Sequence, residues 1–318
     1  MEINIDSFGP ADQVFTTGKK LDDTSYYKHL NKVEGIVDIG RQFLESFHDP
    51  ELARKVNIER AKQFVEMETG EKVTSLIYIV DQKNKKRIEE DMNYDGIEPG
   101  AFYDADIHAS VVYLNDNSPI LDVESKLAHE LAHSTGKRVG TLDIGEDISY
   151  ESRRLGLKVS GQGDFLEEMF AASVQQRYVE KYADSDFFSA ASIAIGQKTT
   201  SFEGMEEFVF DYPDVDETVE VPVKYANLFS EQGVVGQSDL AAYSFDLLDK
   251  KVANTTGENL KVLMMDARKD PHNIPKLAQT IDNVIGKGTY QRLRTTGYGN
   301  FSDLKGMITT TKFLQSVI

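Results

Sequence analysis

The sequence predicts an α+β protein. It should have a small mixed sheet, one helix bearing paired histidines, a second helix bearing a carboxylate, and an all-helical C-terminal part. Three observations carry this. Residues 127–133 read LAHELAH, a His-Glu-x-x-His on helical spacing. Two apolar runs precede it, VTSLIYIV at 73–80 and IHASVVYL at 107–114, both rich in residues that favour strands. From Ser238 onward, helical periodicity returns at 238–253, 258–269, 273–286 and 301–316.

Taken in order, residues 1–31 are polar and read as a loosely packed arm. Val33 to Phe47 places Val33, Ile36, Val37, Ile39, Phe43, Leu44 and Phe47 at spacing that suits a helix. A second helix is predicted from Pro50 to about Glu68, ended by Gly70. The charged stretch 81–95 reads as a solvated loop or edge. Asp122 is a fitting N-cap for the histidine helix, which should cover 122–135, and Gly136 a fitting stop. Val123, Leu127 and Leu131 fall on the side away from the histidines, giving that helix a buried back. Residues 137–163 show little periodicity and hold five glycines, which predicts a long loop walling or covering a cleft. Asp164 should cap a helix reaching about Tyr182, followed by a shorter one at 186–195. The acidic stretch 197–223 predicts a strand or hairpin. The division expected is an arm at 1–31, a domain at 32–223 and a helical subdomain at 224–318.

Composition narrows the function classes. The chain has 318 residues and a net charge of −18, a balance that repels phosphate backbones and argues against nucleic-acid binding. It has no cysteine, so disulfides, thiolate ligands and cysteine nucleophiles are excluded. The N-terminal residues lack the pattern of a signal peptide, and Phe187 to Ile195 is too short an apolar run to span a bilayer. The expectation is a cytoplasmic protein.

The motif carries the chemistry. Residues four apart share a helix face, so His129 and His133 can close on one Zn²⁺ while Glu130 lies beside that face. A strand followed closely by such a helix is the arrangement of zincin-type metallopeptidases. A catalytic zinc takes three protein ligands and leaves one position open. Without cysteine, the third ligand must be His, Asp or Glu, and the helix at 164–182 offers Glu167 and Glu168. Asp164-x-x-Glu167 has capping-box spacing, which gives Glu167 a structural role. Glu168 is therefore assigned as ligand, with Glu167 in reserve.

HELAHSTG at 129–136, GAFYDADIHASVVYL upstream and EEMFAAS downstream resemble the metallopeptidase domain of the antirestriction protein ArdC and its gluzincin relatives. The resemblance spans about residues 99–180. It implies a zincin-like core, metal ligands at His129, His133 and Glu168, and a general base at Glu130. The interval between His133 and the glutamate pair is longer here, and no counterpart of the family's N-terminal single-stranded-DNA-binding domain is evident.

Together these readings predict a zinc-dependent peptidase acting on a peptide or protein. Glu130 would take a proton from the attacking water and pass it to the leaving amine. Tyr150, Tyr225, Tyr243 and His272 are the candidates for a hydrogen bond to the developing oxyanion. Ala172 stands where such ligand helices often carry an acidic residue, so the group that orients a histidine should come from elsewhere. His29, His48 and His108 read as ordinary. The competing classes are an inactive binding protein on the same fold and an antirestriction or DNA-associated factor.

Overall fold

The computed structural model describes residues 13–18, 23–92, 100–144, 148–183, 207–210, 219–222, 237–298 and 301–318, and shows a mixed α+β chain. The predicted helix at 186–195 lies outside these residues.

The apolar runs pair as expected, with later starts. Strand β2 (Leu76–Asp81) lies parallel to β4 (Ala109–Leu114), and β3 (Ala101–Asp104) lies antiparallel to β4 on its other side. The order β2-β4-β3 leaves β3 at an edge, and every residue of the central β4 is buried. A strand buried on both faces needs the unbroken apolar run that the sequence shows.

Several expectations give way. The arm at 1–31 contains strand β1 (Gln13–Gly18) and the start of helix α1 (Asp23–Glu45). The helix from Pro50 is broken into α2 (Pro50–Ala53) and α3 (Ile58–Thr69), with Asn57 capping the second and Gly70 closing it at φ 69°. Within the charged stretch, α4 (Lys85–Met92) is a helix with Ile88 buried. Its charge density hid the pattern. Lys85–Glu89, Lys86–Glu90 and Arg87–Asp91 are all i,i+4 ion pairs, which support a helix with one apolar contact.

The expected loop at 137–163 is mostly strand. Strand β5 (Arg138–Ile144) pairs antiparallel with β6 (Ile148–Leu155), parallel with β1, and β7 (Lys158–Val159) completes the sheet. The register shifts between Val139 and Gly140, an irregularity that interrupts the alternation a strand needs to be read from sequence.

The histidine helix α5 (Ile120–Ser134) begins two residues before Asp122, which accepts from Lys126 Nζ at 2.6 Å instead of capping. It is buried from Val123 to Ser134 apart from Lys126. Its partner α6 (Asp164–Tyr182) follows Gly163, whose φ of 92° turns the chain, so Asp164 is the first helical residue and not the cap. Thirteen of the 19 residues of α6 are buried, more than one stripe supplies. The reason is that α6 is covered on two sides.

The hairpin β8 (Glu207–Phe210) and β9 (Val219–Pro222) matches the reading of 197–223. Helices α7 (Gln237–Thr256), α8 (Leu260–Lys269), α9 (Ile274–Val284), α10 (Thr289–Thr295) and α11 (Phe301–Val317) complete the chain. Their apolar residues join those of α3, β4, α5 and α6 in one continuous core. Glu124 ties three helices together. It accepts from the Asn57 amide at 2.8 Å and the Tyr178 hydroxyl at 2.8 Å, and pairs with Arg60.

His108 precedes β4 at φ 53° and is buried, with Tyr103 Oη 2.6 Å from Nδ1 and Thr74 Oγ1 2.9 Å from Nε2. Burial, then the charges of Arg138 and Arg41, push its pKa down to about 3. The unfolded chain would take this proton near pH 6.5, so between pH 6.5 and about 3 it binds more protons than the fold does. Stability is therefore lost as pH falls through that window, by up to about 1.4 kcal/mol per pH unit. Denaturant unfolding from pH 7.5 to 5 should show a shallower acid loss for His108→Gln than for wild type; equal slopes would remove His108 as the cause.

Candidate metal centre

Helix α5 places His129 and His133 one turn apart, both nearly inaccessible, and α6 brings Glu168 against them. The two Nε2 atoms are 3.1 Å apart. Glu168 Oε2 is 3.1 Å from His129 Nε2, and Oε1 is 3.3 Å from His133 Nε2. At zinc–nitrogen bonds of 2.0–2.1 Å, ligands at a tetrahedral angle stand about 3.3 Å apart, so the donor atoms have the spacing of a zinc site. Among the described residues these three form the one His/Asp/Glu cluster with metal-ligand spacing.

The outer nitrogens are also engaged. His129 Nδ1 is 3.0 Å from Gln175 Oε1, and His133 Nδ1 is 3.4 Å from Glu167 Oε1. Both partners are acceptors, which assigns the ring protons to Nδ1 and leaves two Nε2 lone pairs facing each other and a carboxylate. Three electron-pair donors converge on one point, an arrangement that calls for a cation.

The electrostatics agree. Burial opposes charge on both histidines, but the Glu168 carboxylate outweighs it, raising His129 and lifting His133 to about 10. Burial likewise opposes the Glu168 charge, and the two imidazoles hold its pKa well below the usual range.

Glu167 is not a capping-box residue. Its Oε2 accepts the Leu157 amide at 2.8 Å, and its Oε1 accepts Arg268 Nη2 at 2.7 Å. Burial works against its charge, yet Arg268 and His133 bring its pKa down to about 2. Arg268, from α8, also donates to Ala132 O at 2.6 Å and to Thr135 Oγ1 at 3.2 Å, and lies 3.9 Å over the Phe170 ring. So Glu167 and Gln175 supply the orienting groups that Ala172 does not. Sequence reading missed Arg268, because nothing local marks a residue that acts across 101 positions.

Two glycines admit this network. At Gly156, φ is 57° and a Cβ would occupy the space of the Glu167 carboxylate. Gly136 does not stop α5 through a left-handed turn, since Thr135 closes the helix; a Cβ on Gly136 would lie 2.8 Å from Gly156 Cα. Only two bare backbones can meet this closely.

Glu130 lines a cleft of about 210 Å³ together with the three clustered residues. Strand β3 forms one wall through Ala101, Phe102 and Tyr103, while Leu155 and Lys158 of the former loop region and Tyr298 form others. Of the four expected oxyanion donors, the two whose side chains are described lie away from it. Tyr243 bonds Gln315 at 3.1 Å and His272 is an exposed partner of Asp270 at 2.8 Å, neither lining the cleft. Tyr225 and the Tyr150 side chain lie outside the described residues. Among the described residues the tyrosines that line the cleft are Tyr103 and Tyr298, which no sequence pattern singled out. His48 is structural, its Nδ1 accepting the Ile79 amide at 3.1 Å.

Comparison with protein-family models, with curated proteins and with solved structures returns no match. No helix among the described residues is long and apolar enough to cross a membrane.

Proposed function

We propose that this chain is a zinc-dependent peptidase with a zincin-like core, in which His129, His133 and Glu168 hold the metal and Glu130 is the general base. The observation that carries the reading is the convergence of two Nε2 lone pairs and a carboxylate, each histidine fixed from behind by Gln175 or Glu167. Donor types support zinc, since two imidazoles and one carboxylate without thiolate form a common catalytic zinc set. A zinc ion there would supply Lewis acidity toward a carbonyl and make water a nucleophile near neutral pH.

The chain's own residues do the rest. Glu130 borders the cleft beside the ligands, where it can accept the proton of an attacking water and deliver it to the leaving amine. Edge strand β3 runs along the cleft, so an extended peptide can be held by added strand pairing, with its scissile carbonyl facing the water that Glu130 deprotonates. Tyr103 and Tyr298 border the cleft with their hydroxyls already bonded to His108 at 2.6 Å and Ser238 at 2.8 Å, so neither is assigned to the oxyanion.

The test is elemental analysis followed by cleavage of a peptide pool. Wild type should carry near-stoichiometric zinc, and Glu130→Gln should keep the metal while losing about 10²–10⁴-fold in rate. Protein purified and reconstituted without metal uptake would end the proposal. Bound zinc with no cleavage by wild type would favour the inactive binding protein.

A further inference from the structure

We propose that a second cavity, at the C-terminal end of α5, is a binding site for a small phosphate-bearing anion. It measures about 330 Å³ and shares no lining residue with the metal cleft. That volume is within the range of small-molecule sites. Four cations from three separate segments line it: Lys72 after α3, Lys137 and Arg138 after α5, and Lys269 at the end of α8. The one carboxylate in the lining is Glu71, which pairs with Lys269 at 2.7 Å. The formal charges of the lining residues sum to +3 in a chain whose total is −18.

The structural explanation covers only part of this. Cations beside the last turn of α5 complement its dipole, which accounts for Lys137 and Arg138. It does not account for Lys72 and Lys269, which arrive from other elements. Nor do Lys72 and Lys137 form an ion pair with any described residue. Glu71 offsets Lys269 and the Asp270 carboxylate is felt at Lys137, which leaves part of the like-charge repulsion for a bound anion to relieve. The charge of Arg138 is also felt beneath the cavity, at His108. Thr74 Oγ1, bonded to His108 Nε2, opens onto the same space and adds a hydroxyl to the recognition set.

A multiply charged ligand fits a site of this charge better than a single carboxylate. Phosphate groups occur both on soluble metabolites and on lipid headgroups. The acidic balance of the rest of the chain disfavours an anionic bilayer, so the soluble source is the one inferred.

The experiment uses the full chain, freed of metal with a chelator and titrated calorimetrically with inorganic pyrophosphate and with phosphate. The absence of metal makes the result independent of the peptidase reading. A single saturable site is expected, with pyrophosphate the tighter ligand. Lys72→Gln combined with Lys137→Gln should weaken it at least about fivefold. The same charge change at the remote, exposed Lys250 and Lys312 should leave it intact. Pyrophosphate should also raise the unfolding temperature of wild type more than that of the Lys72/Lys137 variant. No saturation at millimolar pyrophosphate, or equal weakening by both pairs of substitutions, would overturn the proposal. So would binding confined to phosphatidic-acid vesicles or to single-stranded DNA.

Discussion

Alanine at His133 should reduce zinc affinity by more than about 100-fold, measured by competition with a chelator of known strength. Removing an outer partner of a metal ligand already costs roughly 10–100-fold, and loss of a ligand must exceed that. The geometry explains why nothing compensates. His129 Nε2 and Glu168 remain, but among the described residues no other His, Asp or Glu completes the cluster. Thermal unfolding gives a second readout. Zinc at about 1,000 times its dissociation constant stabilises the wild-type fold by roughly 4 kcal/mol through mass action, and the variant should forfeit most of that rise. Glu168→Ala should behave alike. Retention of tight, stoichiometric zinc by both variants would place the metal elsewhere.

Methionine at Arg268 should cost about 3–5 kcal/mol of stability, the range for breaking a buried ion pair from one side. Arg268 and Glu167 have side-chain exposures of 3% and 2%, so water cannot take over from the guanidinium. Methionine keeps a stem over Phe170 but takes the guanidinium away from the buried Glu167 carboxylate and removes one of the donors to the Ala132 carbonyl. Urea unfolding of the metal-free protein measures the loss. Combining Arg268→Met with Glu167→Gln should recover part of it, because the stranded charge is then removed. The single variant should also bind zinc roughly 10–100-fold more weakly, through a less firmly held His133. A cost below about 1 kcal/mol, with unchanged zinc affinity, would show that the pair does not hold the site.

The inner site was legible because its information is local. His129, Glu130 and His133 share a few helical turns, and Glu168 was separated from Glu167 by spacing within one turn. The reason given for Glu167 was nevertheless wrong: it orients His133 and meets Arg268 instead of capping its helix. The apolar runs gave the strands β2 and β4 for the same reason, since a doubly covered strand has no polar face to disguise it. What stayed hidden depends on distant partners. Strand β1 is defined by pairing with β5, more than a hundred residues away, and α4 by ion pairs in a stretch with one buried side chain. The cleft-lining role of Tyr103 and Tyr298 depends on how strand and helices assemble around the histidines.

The reach of Arg268 also sets a timetable for synthesis. Glu167 leaves the ribosome 101 residues ahead of the guanidinium that neutralises it, a lag of about 5–20 s at ordinary elongation rates. Throughout that interval the nascent chain offers both imidazoles, both carboxylates and Gln175, but not the guanidinium that holds Glu167. A firmly held His133, and any metal binding that depends on it, would then wait until Arg268 has emerged.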